Sequence, residues 1–286
     1  MKKILVTGGC GFIGYSLTKR LVQQGHQVDV VDNLYIGKEA KDVKIIGANF
    51  LGGDIRAMSN IPDKNYDTIF HLAALSRIQP SFTFPHLSFS VNTDGTRQVV
   101  EYALRNNSKL IYAGSSSKHH NPELSPYAMS KHMGEEWIKM YKKNFSLRSE
   151  IIRFYNVYGD GELVDSHMAA VVGLWRSKIK KGEPLTIVGD GEQSRDFTHI
   201  DDIVDGLMLI SFSDEKHEDG WELGTGKNFS INEVFEMFKE RFGCDKIHVP
   251  NQFGNYRETI RLNDDTLNRL GWKPKRDIRE YILNLN

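Results

Sequence analysis

Thr7-Gly8-Gly9-Cys10-Gly11-Phe12-Ile13-Gly14 follows the short apolar run Ile4-Leu5-Val6 and opens a segment in which Ile13, Leu17 and Leu21 recur every four residues. A strand, then glycines at positions 8, 11 and 14, then a helix brings backbone close to a pyrophosphate. Glycine permits the tight turn, and the helix N-terminus offers unpaired N–H groups and partial positive charge. The same spacing can also be a plain strand-to-helix turn. Asp32 narrows the choice. It ends the next apolar stretch, Val28 to Val31, near where an acid binds the ribose 2′-hydroxyl of NAD and repels the 2′-phosphate of NADP. Gly8, Gly11, Phe12, Ile13, Gly14 and Asp32 are thus candidate dinucleotide contacts, with NAD expected over NADP. Asp54, followed by Ile55, is a candidate contact for the adenine end and reads equally well as a helix N-cap.

Working outward, further strand candidates are Lys44 to Ile46, Thr68 to Leu72, Leu110 to Ala113 and Ile151 to Phe154, with helical segments at about 92–106 and 127–144. Strands alternating with helices predict an α/β fold, a Rossmann-type doubly wound parallel sheet with helices on both faces. The pattern changes after Asn156. A helical stretch over roughly 166–181 is broken by Gly182-Glu183-Pro184, Leu185 to Val188 reads as a strand, and another helix lies near 231–242. Residues 1–155 are expected to form the NAD-binding domain, with a return segment at about 195–212. Residues 156–286 mainly form a smaller C-terminal α/β lobe for substrate.

The length of 286 residues fits one large domain or about two. Lys plus Arg and Asp plus Glu are 37 each, so the chain lacks the basic surplus of a polyanion binder and no nucleic-acid partner is expected. Two cysteines, Cys10 and Cys244, give neither a disulfide framework nor a zinc-ligand spacing, and no metal is expected. No apolar run reaches the ~18 residues of a membrane span, and the three apolar residues after Met1-Lys2-Lys3 are too few for a signal peptide. A cytoplasmic protein is the plain expectation.

Tyr127 and Lys131 lie four apart after Pro126, on one face of a helix. An ammonium and a positive nicotinamide ring favour a phenolate. A useful base at neutral pH needs a drop of roughly three units, or about 4 kcal/mol of differential stabilisation. Such a phenolate takes a proton from a sugar hydroxyl while hydride leaves the same carbon for NAD. Lys131 would also hold the nicotinamide ribose. The alternative is two exposed helix residues. Ser115, Ser116 and Ser117 follow the strand ending at Ala113, at the sheet end where ligands bind. One of them could hydrogen-bond the reacting oxygen; a polar turn is the other reading.

These motifs together resemble the extended short-chain dehydrogenase/reductase family, in its nucleotide-sugar epimerase/dehydratase branch. The resemblance spans nearly the whole chain. It rests on TGGCGFIG (7–14), VVDNLYIGK (30–38), HLAA (71–74), Asn92 in SVNTDGT, YAGSSS (112–117), YAMSK (127–131), RFYNVYG (153–159) and VGDGEQSRDFTHIDD (188–202). It implies that Ser115, Tyr127 and Lys131 are catalytic. Asn33, Leu72, Ala73, Ala74 and Asn92 join the cofactor contacts, Asn92 also as a support of the site's backbone. Ser81, Ser116, Ser117, Asn156, Arg195, Arg257 and Thr259 become substrate contacts. It further implies a nucleotide-diphosphate sugar as substrate and a homodimer paired through the helices near 92–106 and 127–144.

The resemblance also bears on the reaction. Dehydratases of the branch carry Asp-Glu after the catalytic threonine, and its decarboxylases a nearby glutamate; Ser116 and Ser117 stand there instead. Its reductases use a Cys and a His, and neither cysteine fits the serine loop. What remains is 4-epimerisation: oxidation at C4, rotation of the 4-keto sugar, and hydride return to the other face. A dehydratase, a 4-keto-sugar reductase or a non-catalytic NAD sensor are the competing readings. Lys118-His119-His120 departs from the usual Val-Tyr-Gly or Thr-Tyr-Gly. The two histidines read as a pocket acid, a substrate contact or a solvated loop. Gln252 falls where the family places a phosphate-binding Arg, for which Arg257 could substitute. Thr259 falls at the family's gate position, where a small residue admits an N-acetyl group at C2.

Overall fold

The computed structural model describes all residues, Met1–Asn286. The chain forms two compact units, Met1–Arg153 with Leu207–Trp221, and Phe154–Gly206 with Glu222–Asn286. The segment that returns to the first unit is therefore 207–221, later than the expected 195–212.

The main sheet contains β1 (Lys3–Thr7), β2 (Gln27–Asp32), β3 (Asn49–Gly52), β4 (Thr68–His71), β5 (Lys109–Ala113) and β6 (Ser149–Phe154). They pair in parallel in the order β6-β5-β4-β1-β2-β3, and Trp221–Leu223 extends the sheet beyond β6 as its seventh strand. β4 is buried throughout, and β1 and β5 nearly so, as covered sheet faces require. The strand order reverses between β1 and β4. Their carboxyl ends, Thr7 and His71, lie side by side there, where such sheets bind ligands.

The expected strand at Lys44 to Ile46 is instead the end of helix α2 (Ala40–Ile45). Glu39 and Asp42 form a capping box that starts the helix, and only Val43 is buried while Ile45 is exposed. The true strand, β3, begins at Asn49 beyond the Gly47 turn.

Helices α1 (Phe12–Gln23), α3 (Ile78–Thr83), α4 (Pro85–Phe89), α5 (Thr96–Arg105) and α6 (Pro126–Phe145) complete the first unit. A π-helical turn, Ser90–Gly95, runs into α5. α6 starts at a Ser125 cap, whose hydroxyl accepts the Ala128 N–H at 3.1 Å, with Pro126 as first helical residue. Its buried face carries Ala128, Ser130, Gly134 and Ile138 together with the charged Lys131 and Glu135.

Glu135 is matched by Arg153 of β6, itself wholly buried. Arg153 donates Nε and Nη2 to the two Glu135 oxygens at 3.1 and 2.8 Å. It also donates Nη1 to the Asp219 carboxylate at 3.0 Å and Nη2 to the Asp219 carbonyl at 2.7 Å. One guanidinium thus ties β6, α6 and the return segment.

The second unit holds α7 (Val171–Lys181), α9 (Ile231–Phe242), α10 (Asp265–Leu270) and α11 (Ile278–Leu283). α8 (Ile200–Phe212) runs on into the return segment. Short strands flank the helices. Leu185–Val188 pairs with Lys246–Val249, and Ser194–Asp196 lies between Asn228–Ser230 and Glu258–Thr259. Trp175 packs edge-on against Phe235 and Phe238 in its core. No helix is long and apolar enough to cross a membrane.

Removing one partner of a buried ion pair leaves a charge uncompensated. Glu135→Ala is expected to destabilise the protein by about 3–5 kcal/mol in urea denaturation. A loss below about 1 kcal/mol would mean that Asp219 alone satisfies Arg153.

Candidate active site

The glycine loop joins β1 to α1. Gly8 has φ +74, a left-handed conformation that suits glycine, and a Cβ there would lie 2.6 Å from the Ala73 nitrogen. A Cβ on Gly14 would collide with the Gly8 carbonyl oxygen. Gly11 caps α1, so the amides of Phe12 and Ile13 open the helix without intrahelical acceptors. A tight turn beneath outward-facing amides fits a dinucleotide pyrophosphate. Leu72, Ala73 and Ala74 continue from β4 beside this loop, with the Leu72 N–H on the Thr7 carbonyl at 3.1 Å.

Asp32 accepts the Cys10 N–H at 3.0 Å on one oxygen and the Leu34 N–H at 2.8 Å on the other. It therefore pins the loop, and each oxygen keeps a lone pair for a ribose hydroxyl. Burial pushes its pKa up, and the two amides oppose that rise. Asp54 takes the N-cap position of the turn Ile55–Asn60, accepting the Arg56 N–H at 2.9 Å. Its carboxylate is also forked by the Arg56 side chain and bonded by Asn33 Nδ2 at 3.0 Å. The Arg56 guanidinium holds the Asp54 carboxyl well below the usual range. The Ile55 side chain lies in the core.

Ser115, Tyr127, Lys131 and Asn92 converge beyond the end of β5. Ser115 Oγ lies 3.0 Å from Tyr127 Oη. Ser117 is buried, and its hydroxyl donates to Ser115 Oγ at 2.8 Å; Ser116 is half-buried. Lys131 Nζ donates to the Ala113 carbonyl at 2.6 Å and lies 4.4 Å from the centre of the Tyr112 ring. Asn92, in the π turn, accepts the Leu75 N–H at 2.8 Å and donates to the Leu75 carbonyl and to Ser130 Oγ at 2.9 and 3.0 Å. Ser130 Oγ in turn donates to the Tyr127 carbonyl, and Ser81 Oγ accepts the Tyr127 N–H at 3.1 Å. The backbone at Tyr127 is thus held from both sides.

The charges differ from the sequence expectation in one respect. Burial pushes the Tyr127 phenol above its ordinary pKa, and Glu135 adds to the rise. The Ser115 hydrogen bond and the Arg77 charge pull it down. Lys131, expected to lower it, has its ammonium on Ala113. Burial brings Lys131 down to about 8, against the pull of Glu135. His71 stays neutral between Thr7 Oγ1 and Thr96 Oγ1, at 2.8 and 3.0 Å, its pKa lowered by burial to about 3.

In the second unit, Asn156 Nδ2 donates to Thr259 Oγ1 at 3.1 Å and to the Asp196 carbonyl at 3.1 Å. Arg195 lies opposite Thr259 across paired strands. Burial lowers the Arg195 pKa to about 10, and its Nη1 donates to the Ser194 carbonyl with no carboxylate partner. Arg257 is exposed and its Nη1 lies 2.9 Å from both Asp190 oxygens. His119 is exposed and His120 half-buried in the serine loop.

Sequence reasoning gave no role to Glu135, Arg77, Arg153, Ser130 or Tyr112, although the last three lie inside the quoted motifs. Glu135 was within reach, because it follows Lys131 by one more helical turn. Arg153 and Arg77 meet α6 and Tyr127 only through the fold.

The family model for the NAD-dependent epimerase/dehydratase family matches residues 4–224. A Methanocaldococcus jannaschii protein with a provisional UDP-glucose 4-epimerase name is 32% identical, over 98% of this chain and 95% of its own. The solved structure of an epimerase from Methanothermobacter thermautotrophicus superposes with a TM-score of 0.91 at 26% identity, covering 98% of this chain and 90% of that one. A UDP-N-acetylglucosamine 4-epimerase from Methanobrevibacter ruminantium, solved with UDP-N-acetylmuramic acid, gives 0.88 at 28% identity, covering 99% and 96%. The chain belongs to the NAD-dependent epimerase/dehydratase family, and NAD is its cofactor.

Proposed function

We propose that the protein is a nucleotide-sugar 4-epimerase. The observation that carries this reading is the Ser115–Tyr127 hydroxyl pair with Ser116 and Ser117, and no carboxyl, at the two positions that follow Ser115. When bound, NAD would supply a hydride acceptor and, in its reduced form, the donor that restores the hydride. Tyr127 removes the proton from the C4 hydroxyl and gives it back. Ser115 hydrogen-bonds the same oxygen. Lys131 contributes a buried positive charge and holds the cofactor ribose. Gly8, Gly11, Phe12, Ile13, Gly14, Asp32, Asn33, Asp54, Ile55, Leu72, Ala73, Ala74 and Asn92 are assigned to the cofactor.

Arg195, a largely desolvated cation without a carboxylate partner, supports a role in binding the diphosphate, with Arg257 as a second cation. Asn156 and Thr259, with Ser81, Ser116 and Ser117, are assigned to the substrate. Thr259 is small and buried, which favours acceptance of an N-acetyl group at C2. We also assign a homodimer through α5 and α6. It is supported by the row Trp137, Tyr141 and Phe145 along α6, with ring centres 6.1 and 4.9 Å apart. The exposed position of His119 gives little support to a dehydratase or reductase that uses it as acid, and the half-buried His120 is the group such a rival would use. The assembled Ser115–Tyr127 pair gives little support to a non-catalytic sensor.

Incubation with UDP-glucose or UDP-N-acetylglucosamine is expected to yield a product of unchanged mass and inverted C4, with no net consumption of nicotinamide. Loss of water would establish a dehydratase, and consumption of added reduced nicotinamide a reductase. Tyr127→Phe should lower kcat by about 10²–10⁴ while NAD binding persists. Thr259→Tyr should shift preference toward UDP-glucose; an unchanged ratio would remove Thr259 from the specificity argument. A charged Lys131 is fully present below its pKa and lost above it, so kcat/KM should fall as pH rises through about 8. A rate that keeps rising to about pH 10, the ordinary tyrosine value, would show that the lysine charge is not required.

A further inference from the structure

Ser115 is the cap of a short 3₁₀ turn, Ser116–His119. Its Oγ accepts the Ser117 backbone N–H at 3.2 Å, the usual capping bond, and also the Ser117 hydroxyl at 2.8 Å. Both serines are almost fully buried, at 6% and 4% exposure. A hydroxyl oxygen has two lone pairs and one proton. Ser117 fills both lone pairs of Ser115, so the single Ser115 proton can only be donated: to Tyr127 Oη, 3.0 Å away, or to the C4 oxygen once a sugar stands beside them. We propose that Ser117 is a positioning residue that fixes the direction of the Ser115–Tyr127 hydrogen bond, so that the serine donates and the tyrosine oxygen accepts. The proposal deepens the reading of Tyr127 as the base. Beside the substrate contact assigned to Ser117 above, it gives this residue a second task, performed through Ser115.

The direction matters because a phenolate only accepts. With Ser115 held as donor, the loop favours the deprotonated tyrosine. With Ser115 free to turn, it can accept the phenol proton and favour the neutral form. Other groups also act on Tyr127. They are Arg77 ahead of α3, Glu135 on α6 with Arg153 paired to it, and Tyr112 on β5; Lys131, one turn along α6, completes the titratable groups nearby, with its ammonium on the Ala113 carbonyl. Changing Ser117 leaves their charges in place, so a shift reports the hydroxyl chain.

The test is ultraviolet titration of tyrosinate in the NAD-loaded protein, with Tyr127→Phe as the blank, which needs no sugar substrate. Ser117→Ala is expected to raise the Tyr127 pKa by about half to one unit. Ser117→Thr, which keeps the hydroxyl, should titrate as wild type. In a Ser115→Ala background, Ser117→Ala should add nothing, because the effect travels through Ser115. Should Ser117→Ala fail to fold, Ser117→Cys, with its weak thiol donor, must shift the pKa in the same direction. A wild-type titration for Ser117→Ala would overturn the proposal, as would an equal shift with Ser115 absent. A shift that runs through Ser115 in a protein that turns over no sugar nucleotide would uphold the hydroxyl direction while removing the epimerase reading.

Discussion

The buried guanidinium of Arg153 is the constraint on which the first unit depends. A charge with no exposed surface has to be matched from within, and both its partners come from distant sequence. Glu135 lies on the helix that carries Tyr127 and Lys131, and Asp219 lies on the segment that re-enters the first unit. The return of residues 207–221 therefore supplies part of the charge balance that lets α6 bring two charged side chains into the interior. It also fixes that helix against β6, which the ~0–1 kcal/mol of a surface pair would not do.

Holding α6 this way has an electrostatic consequence for the site. Lys131 is buried with a carbonyl and an aromatic face as neighbours, and burial brings its pKa close to neutrality. Tyr127 is driven the other way by the same burial. The protein alone therefore leaves the phenol unactivated. A positive nicotinamide ring brought by the cofactor would act to lower it, alongside the Ser115 hydrogen bond and the Arg77 charge. Confining base activation to the loaded site keeps a buried phenolate from forming where nothing balances it.

What could be read from the sequence was local. The strand–glycine–helix pattern at 3–23, the four-residue spacing of Tyr127 and Lys131, and the strand Leu185–Val188 each declare themselves over a few residues, and the structure has them at those places. Lys44 to Ile46 misled because three residues cannot separate a buried strand from a helix end, and the capping residues Glu39 and Asp42 that decide the matter lie upstream. Asp54 reads as a helix cap or an adenine contact; the structure shows the cap, with Arg56 and Asn33 on its carboxylate, and the cofactor contact stays an assignment beside it. Arg153 was visible only as part of a motif, because its partners are 18 and 66 residues away. The direction of the serine hydroxyls was also beyond reach. Three adjacent serines carry no record of which donates until the 3₁₀ turn places Ser117 above Ser115.

The choice of reaction then turns on how many protons the loop can move. Epimerisation at C4 removes one proton from one oxygen and returns it to the same oxygen after the sugar has turned. A single base with a hydrogen-bonded serine beside it meets that need. Elimination across C5 and C6 requires a second acid–base group aimed at other atoms, and a serine hydroxyl, far weaker as an acid than a carboxyl, is poorly suited to it. Ser117 is further removed from such a task because its proton is committed to Ser115. On the epimerase reading, the hydroxyl chain is thus matched to one reversible proton transfer, and Ser116 and Ser117 supply no carboxyl for a second.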